Sequence, residues 1–266
     1  GQLTRRIPVH NVEMQGNIRG SLKCTTTMDQ INKTLMQDSS LTYHYKGDPN
    51  IQIGVLGMID DTLSISKCGS GSVHKNAIIN SFVETQKLIL SRTKSVVLHI
   101  GKNKKCKQPC PKLSIHESVM KEDTSAKYLG DVISCHGGVK DTLEIRRNKG
   151  WGKIAEIMGT LSELPQIYTI EVGLKLRETK LCNGVLYSAE AWSSISDSEL
   201  DRIEQLDTGL LKTIIDGHAK CNKAFYYLEF GLLSFRHLIM IKQFMYHYHI
   251  ITRDDKEIIK KMYMKQ

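Results

Sequence analysis

The spacing of apolar residues changes along this chain of 266 residues, and the change limits the folds that it can adopt. Over residues 51–55 apolar and polar residues alternate, as they do in half-buried strands, and a second β stretch follows over 62–66. From about residue 141 onward, apolar residues recur every three or four positions, as on one face of a helix. The pattern therefore predicts an α+β part over residues 1–140 and an all-helical part over residues 141–266.

The same spacing predicts individual elements. In the first part these are a helix over 26–37, strands over 51–55 and 62–66, a helix over 76–91, a strand over 96–100 and a β element over 128–135. In the second part, helix faces run from Leu143 to Leu161, from Leu200 to Ile214 and over 232–251. Ser196 or Asp197 is predicted to cap the second of these helices, and Trp151 and Trp192 are predicted to be buried.

Positive charge is concentrated in the first part of the chain. Residues 1–150 hold 22 Lys and Arg against 13 Asp and Glu, whereas residues 151–266 hold 15 of each. Ten of the basic residues fall between Lys87 and Lys127. A local basic field attracts polyanions through the release of their counterions, and nucleic acid is the usual partner. A solvated lysine-rich loop explains the same composition equally well, so charge alone leaves both interpretations open.

Composition excludes several classes of protein. With 40% apolar residues and five prolines, the chain can bury a core, unlike a disordered or collagen-like chain. No run approaches 18 apolar residues and the first residues are polar, which argues against a membrane span and a secretory signal. Seven irregularly spaced cysteines favour a reducing, intracellular compartment. Because the first residue is Gly rather than Met, we expect a piece of a longer protein.

The sharpest local signal is a pair of adjacent carboxylates, Asp60 and Asp61, between two apolar β stretches. The pattern predicts a hairpin with both carboxylates at its tip. Like charges this close repel each other, and a divalent cation removes that cost. Mg²⁺ suits such hard oxygen ligands and commonly binds one or two carboxylates together with substrate phosphates. Taken alone, however, Asp-Asp more often marks an ordinary exposed turn.

Other candidate sites are weaker. Cys106 and Cys110 have the spacing of half a zinc site, with His99 and His116 nearby, but no second pair completes four ligands. The string Gly69–Ser72 lacks the Gly-Lys-Ser/Thr of a phosphate-binding loop, so a flexible turn is predicted there.

Four short strings follow one another in the order and approximate spacing of one known family. They are Gln15-Gly16 with Gly20-Ser21, Ile59-Asp60-Asp61, the segment Leu88–Lys94, and Lys127-Tyr128-Leu129-Gly130. Together they resemble the reverse transcriptases that non-LTR (LINE-type) retrotransposons encode. The resemblance covers most of the first 135 residues through these motifs, and the remainder by position only.

The resemblance implies that the acidic hairpin is the metal site of a polymerase. Asp60 and, less directly, Asp61 would bind Mg²⁺, for which Mn²⁺ can substitute, in a two-metal phosphoryl transfer. Lys94 would approach the triphosphate as a proton donor or as a countercharge. Leu88–Lys94 would match the helix and lysine that follow the acidic hairpin in the family.

The resemblance also implies domains and partners. Residues 1–140 would be a partial polymerase palm, an antiparallel sheet with helices, and residues 141–266 a helical thumb and connector. The partners would be an RNA template, a DNA primer and deoxynucleoside triphosphates in the cytoplasm and nucleus, with no membrane. Tyr128, Leu129 and Gly130 resemble the primer-grip hairpin and would hold the primer end. Gln15 and Gly16 would contact the template or nucleotide, and Lys127 is also implied to contact nucleic acid or nucleotide.

One departure from the family affects the expected activity. Reverse transcriptases also hold their metals with an aspartate on an earlier palm strand, whereas none of the fourteen residues before Gln15 is an Asp. Glu13, the one acidic residue there, lies too close to the Gln-Gly motif for that role. We therefore expect that this chain alone does not polymerise. A non-catalytic nucleic-acid-binding module and a degenerate copy of a retroelement stay open as alternatives.

We predict that the chain binds nucleic acid with little sequence preference and with a strong dependence on salt. Contacts between lysines and phosphates displace counterions but carry no base information, so affinity should fall at least about tenfold between roughly 50 and 200 mM salt. Titration of a labelled RNA–DNA duplex at the two salt concentrations measures this. An affinity that does not change with salt would contradict the prediction.

Overall fold

The structure is a computed structural model that describes residues 18–37, 42–45, 48–100, 111–115, 118–192, 195–217 and 221–265. Its strands are β1 Tyr43–Tyr45, β2 Asp48–Ile53, β3 Val55–Met58, β4 Asp61–Ser64, β5 Val96–Leu98, β6 Ser114–Ile115, β7 Ser118–Val119, β8 Lys121–Asp123, β9 Ser125–Tyr128 and β10 Asp131–Ser134. Its helices are α1 Ile18–Gln37, α2 Gly69–Thr85, α3 Lys140–Ser162, α4 Gln166–Leu176, α5 Asn183–Val185, α6 Asp197–Ile214, α7 Lys223–Glu229, α8 Phe235–Ile251 and α9 Ile258–Tyr263, with a π-helical segment Arg177–Cys182 and a 3₁₀ turn Ala189–Ala191. None of the described helices combines the length and the hydropathy that crossing a lipid bilayer requires.

The strands form small two-stranded sheets. Four of the described pairs are antiparallel, namely β1 with β2, β3 with β4, β6 with β7 and β9 with β10, and β5 pairs with β8 in parallel. The described residues from 140 onward form helices and turns only. The predicted mixture of helices and strands is therefore confirmed, with the strands in the first part of the chain.

The described residues divide into two compact units, mainly 18–99 with 111–123 and mainly 124–264. In the first unit, α1 buries Ile31 and Leu35 against Val55 of β3. Apolar side chains of α2, including Ile79 and Phe82, complete this small core. The core thus supports the hairpin of β3 and β4 from one side. The predicted boundary between palm and thumb at residue 140 stays a prediction.

Two helices of the first unit start earlier than predicted. The described part of α1 extends to Ile18, eight residues before the predicted start at residue 26. Gly69–Ser72, predicted as a flexible turn, is instead the first turn of α2, which follows Cys68 in an extended conformation. Small residues are tolerated at helix starts, where the backbone N–H groups have no intrahelical partner, so the Gly-Ser string was a misleading turn signal.

The end of α2 also differs from the prediction. The helix ends at Thr85 rather than at residue 91, and Lys87 takes a left-handed conformation with φ of +54°. A left-handed residue is a common helix stop because it turns the chain out of the helical path. The segment Leu88–Lys94 therefore lies outside any helix, and its predicted helical character is wrong.

The second unit packs its helices around one apolar core. The faces predicted on α3 and α6 are buried there, together with Phe235 and Ile239 of α8. Trp192 is a buried member of this core, as predicted. Trp151 is exposed on α3, so its predicted burial is wrong. Trp151 faces solvent beside the buried face of α3, and the residue type alone does not reveal which side of a helix a tryptophan occupies.

The start of α6 matches its sequence signal closely. Ser196 caps the helix by accepting a hydrogen bond from the Glu199 N–H, and the Glu199 carboxylate accepts one from the Ser196 N–H. This reciprocal arrangement is a capping box, which satisfies two otherwise unpaired donors. The predicted cap at Ser196 is confirmed. The predicted helix over 232–251 is also present, although it begins at Phe235 after the capping residue Ser234.

A buried ion pair joins the π-helical segment to α6. Arg177 donates from Nε to Asp207 Oδ1 at 2.6 Å and from Nη2 to Asp207 Oδ2 at 2.7 Å. Arg177 Nη2 also donates to the carbonyl of Leu233 at 2.9 Å. Both charged side chains are buried, so the pair satisfies donors and acceptors that water does not reach.

We predict that Arg177→Met destabilises the protein strongly, because it leaves the Asp207 carboxylate buried without its cation. Breaking such a pair typically lowers the free energy of unfolding by about 3–5 kcal/mol. Urea denaturation measures the change, and Arg177→Met combined with Asp207→Leu should recover much of the loss. As a control, Glu156→Gln breaks the exposed pairs with Lys153 and Lys180 and should cost far less. Equal losses in the two single variants would contradict the prediction.

Candidate functional site

The predicted acidic hairpin is present in the structure. β3 and β4 pair in antiparallel register from Val55 opposite Ser64 to Met58 opposite Asp61. Ile59 and Asp60 form the two-residue turn, so Asp60 lies at the tip and Asp61 is the first residue of β4. The prediction of a hairpin with two carboxylates at its end is confirmed.

The carboxylates at the tip have no polar partner among the residues that the structure describes. Both side chains are exposed, and neither makes a hydrogen bond or an ion pair with another residue that the structure describes. Some other acids of the described chain, such as Asp131 and Glu156, are paired with basic side chains, whereas Glu122 is also exposed without a described partner. Asp60 and Asp61 therefore keep their oxygens available for a ligand that approaches from solvent.

The turn that presents Asp60 is strained. Ile59 has φ of +55°, in the left-handed region that β-branched residues rarely occupy. Two-residue hairpin turns favour positive φ at their first central residue, and Gly or Asn is the usual choice there. The tight turn is thus made with an unsuitable residue, and its neighbours must hold it in place.

Helix α1 passes close to one leg of this hairpin. A Cβ atom at Gly57 would overlap the side-chain amide of Asn32, so any other residue there requires that side chain to move. Val55, two residues earlier on the same strand, is buried in the core that α1 and α2 share. The hairpin therefore lies against α1 along one leg while its tip stays exposed.

Lys75 holds the base of the hairpin. This residue of α2 is only 1% exposed, and its ammonium donates to the carbonyls of Gly54 at 3.0 Å and Ile65 at 2.6 Å. Gly54 precedes β3 and Ile65 follows β4, and the Ile65 N–H also donates to the Gly54 carbonyl at 2.9 Å. One buried cation thus connects both legs of the acidic hairpin to α2.

The predicted catalytic lysine lies on an exposed turn. Lys94 ends the turn over residues 92–94 that precedes β5, in the same unit as the acidic hairpin. Its ammonium makes no hydrogen bond or ion pair with the described residues, Asp60 and Asp61 included. Its predicted role at a triphosphate stays a prediction.

The residues from Lys127 to Gly130, predicted to bind nucleic acid, lie on a second hairpin. The segment predicted as one β element is two strands, β9 and β10, which pair from Ser125 opposite Ser134 to Tyr128 opposite Asp131. Leu129 and Gly130 form the turn, with φ of +48° and +86°. Lys127 is exposed on β9, and Tyr128 is partly buried. The single element predicted from residue spacing is wrong because a two-residue turn leaves almost no polar interruption in the sequence, whereas the family resemblance did imply a hairpin at Tyr128–Gly130.

Two side chains from later in the chain contact this second turn. The Tyr187 hydroxyl donates to the Leu129 carbonyl at 2.8 Å. Arg146 of α3 donates from Nη2 to the Gly130 carbonyl at 3.0 Å and to Asp131 Oδ1 at 2.8 Å. The Arg146 guanidinium carbon lies 4.8 Å from the centre of the Tyr187 ring, a cation–π distance.

Several residues discussed above fall outside the part that the structure describes. The predicted site residues Gln15 and Gly16 are among them, as are the lysines at 102, 104, 105 and 107 and the weak zinc candidates Cys106 and Cys110. His99, which lies near these cysteines in sequence, is exposed. Within the described ranges, no three His, Cys, Asp or Glu side chains form a group that could hold a metal ion.

Sequence reasoning missed Lys75, Arg146 and Tyr187. The signal for the first two was a basic residue within a buried helical stripe. Lys75 follows buried Gly71 by four positions, and Arg146 lies between Leu143 and Gly150 on the buried face of α3. A long cation at such a position usually has a polar partner inside the protein. Tyr187 gave no signal, because its contact with the turn spans 58 residues of sequence.

The chain matches no protein-family model, no curated protein and no solved structure. Any relation to reverse transcriptases therefore depends on the motifs themselves. Two motifs lie on described hairpins, at Asp60-Asp61 and Leu129-Gly130, and a third ends on the exposed turn of Lys94.

We predict that Lys75→Met loosens the acidic hairpin, because the carbonyls of Gly54 and Ile65 lose a charged donor. Hydrogen bonds to charged groups contribute about 1.5–3 kcal/mol each, so amides over 54–65 should exchange with deuterium at least about tenfold faster. Exchange measured by mass spectrometry tests this. Lys67→Met, at an exposed lysine of the same unit, is the control. Unchanged exchange in Lys75→Met would show that the lysine does not hold the hairpin.

Proposed function

We propose that this chain is part of an RNA-directed DNA polymerase of the non-LTR retrotransposon kind, which extends a DNA primer on an RNA template. The observation that carries the proposal is the pair of exposed carboxylates, Asp60 and Asp61, which have no described partner and lie at the tip of a hairpin whose base is held by Lys75. A ligand site needs its backbone fixed before the ligand arrives, and Lys75 joins both strands of this hairpin to α2.

The residues at the tip fit a divalent cation. Two exposed carboxylates without described partners offer the hard oxygen ligands that Mg²⁺ prefers, with room for water and phosphate oxygens. When bound, such ions stabilise the attacking and leaving oxygens of a phosphoryl transfer. The contribution of this chain is to present Asp60 at the turn and Asp61 beside it, on strands that α1 and Lys75 support.

The remaining motifs extend the proposal to the nucleotide and the nucleic acid. Lys94, exposed and without a described partner, would act as a countercharge or proton donor at the triphosphate. Gln15 and Gly16 would contact the template or nucleotide. Tyr128, Leu129 and Gly130, on the second hairpin, would hold the primer end, with Lys127 beside them in contact with nucleic acid or nucleotide.

The domain assignment is part of the same proposal. Residues 1–140 would be a partial palm, and residues 141–266 the thumb and connector. The described helices from residue 140 onward are consistent with a helical thumb. The chain alone would bind nucleic acid but would not polymerise.

We predict that Asp60→Asn abolishes metal binding at the tip, because an amide keeps the shape of the side chain but not its charge. Mn²⁺ added to the isotope-labelled chain should broaden the amide signals of residues 58–62 in the unmodified protein and not in the variant. In a protein that joins this chain to upstream palm and fingers segments, Asp60→Asn should slow primer extension at least ~10²-fold, or about 2.7 kcal/mol.

Glu122→Gln provides the matched control for Asp60→Asn. Glu122 is an exposed carboxylate of the first unit without a described partner, so its loss should affect neither metal binding nor extension. Duplex binding should be nearly unchanged in both variants. If Asp60→Asn retains full extension, the acidic tip is merely a turn. If Mn²⁺ leaves the tip unaffected while duplex binding persists, the non-catalytic nucleic-acid-binding module is favoured.

A further inference from the structure

The turn of the second hairpin has a backbone that its own residues do not favour. Leu129 and Gly130 both have positive φ, as the central residues of a type I′ turn do. Gly130 adopts this conformation without strain, but Leu129 carries a side chain that disfavours it. A strained conformation of this kind persists where surrounding contacts fix it, and such residues cluster at ligand sites.

Tyr187 fixes the first half of the turn. Its hydroxyl donates to the Leu129 carbonyl, and its ring lies so close to Gly130 that a Cβ there would be 3.1 Å from a ring carbon. The Tyr187 side chain is 48% exposed and does not belong to the apolar core of the second unit. Packing of the core therefore does not explain its position.

Arg146 fixes the second half of the turn. It is only 6% exposed, and its Nη2 donates to the Gly130 carbonyl and the Asp131 carboxylate. Its guanidinium also lies over the Tyr187 ring, so the two side chains hold each other. Both carbonyls of the turn are thus occupied by donors from elsewhere in the fold.

The turn that Tyr187 and Arg146 hold has a solvent-exposed surface. Leu129 is 42% exposed, and it lies next to the exposed ring of Tyr187 and two residues from the exposed Lys127. Apolar surface and a nearby cation suit the sugar and phosphate of a nucleic-acid strand end. Because its conformation is fixed in advance, the turn would bind such an end without an ordering cost.

We infer that Arg146 and Tyr187 are positioning residues, which hold the Leu129–Gly130 turn in the conformation that receives the recessed 3′ end of a primer strand. The inference rests on the proposed function, since the primer end is the ligand assigned there to this hairpin. Neither residue contacts the reacting atoms in this scheme. Both act through the backbone of the turn.

The test compares two ligands with the full chain. A fluorescently labelled RNA–DNA duplex with a recessed DNA 3′ end and a blunt duplex of the same paired length are titrated by anisotropy. The unmodified chain should bind the recessed duplex more tightly. Tyr187→Phe, which keeps the ring and loses the hydroxyl, should reduce that preference about fivefold, the loss expected for one hydrogen bond. Its affinity for the blunt duplex should stay the same.

Matched variants separate positioning from general stability. Tyr168→Phe removes the hydroxyl of an exposed tyrosine on α4 that has no described side-chain partner, and Arg147→Lys changes the neighbour of Arg146. Both should keep the preference for the recessed end, whereas Arg146→Lys should lose it. If Arg146→Lys does not fold, Tyr187→Phe alone decides.

Two outcomes would contradict the inference. A preference that Tyr187→Phe and Arg146→Lys both retain would overturn the inference while leaving the proposed function standing. The absence of any preference in the unmodified chain would instead overturn the assignment of the primer end to this hairpin, and the inference with it.

Discussion

A two-residue turn between antiparallel strands requires a backbone that most side chains resist, and both candidate hairpins have such a turn. The first central residues are Ile59 and Leu129, each with positive φ. Left-handed residues with large side chains cost about 1–3 kcal/mol and persist where the fold fixes them. The neighbourhood of each hairpin can be understood as the means by which this cost is offset.

Buried cations offset the cost at both hairpins. Lys75 donates to the carbonyls at the base of the acidic hairpin, and Arg146 donates to the turn of the second. A buried charge is costly unless its donors are satisfied, and at the first site the carbonyls of Gly54 and Ile65 accept hydrogen bonds from Lys75. Arg177 follows the same principle in the core, where Asp207 provides the acceptor. Charge inside the protein thus fixes backbone rather than merely pairing side chains.

The parts of the fold that were predictable depend on local physics. The Ser196 cap, the buried faces of α3 and α6, and the acidic tip follow from capping chemistry, helical spacing and alternation. The errors arise where local signals conflict with tertiary context. Gly69–Ser72 has the composition of a turn yet starts a helix, and Leu129–Gly130 breaks a strand with almost no polar residue. Partners distant in sequence, such as Tyr187, cannot be found from spacing.

The contacts of the second turn also determine when it can form. The Tyr187 hydroxyl reaches a carbonyl 58 residues away, and Arg146 must have its place on α3 before it reaches Gly130. The chain loses conformational entropy when it closes such a long loop, and it does so before the contact contributes any stability. Long-range pairings therefore form slowly. During synthesis, the hairpin strands emerge before α3 and well before Tyr187, and until then nothing described here would fix the left-handed turn. We therefore expect the chain to acquire this surface late in folding, after the helices that follow it have packed.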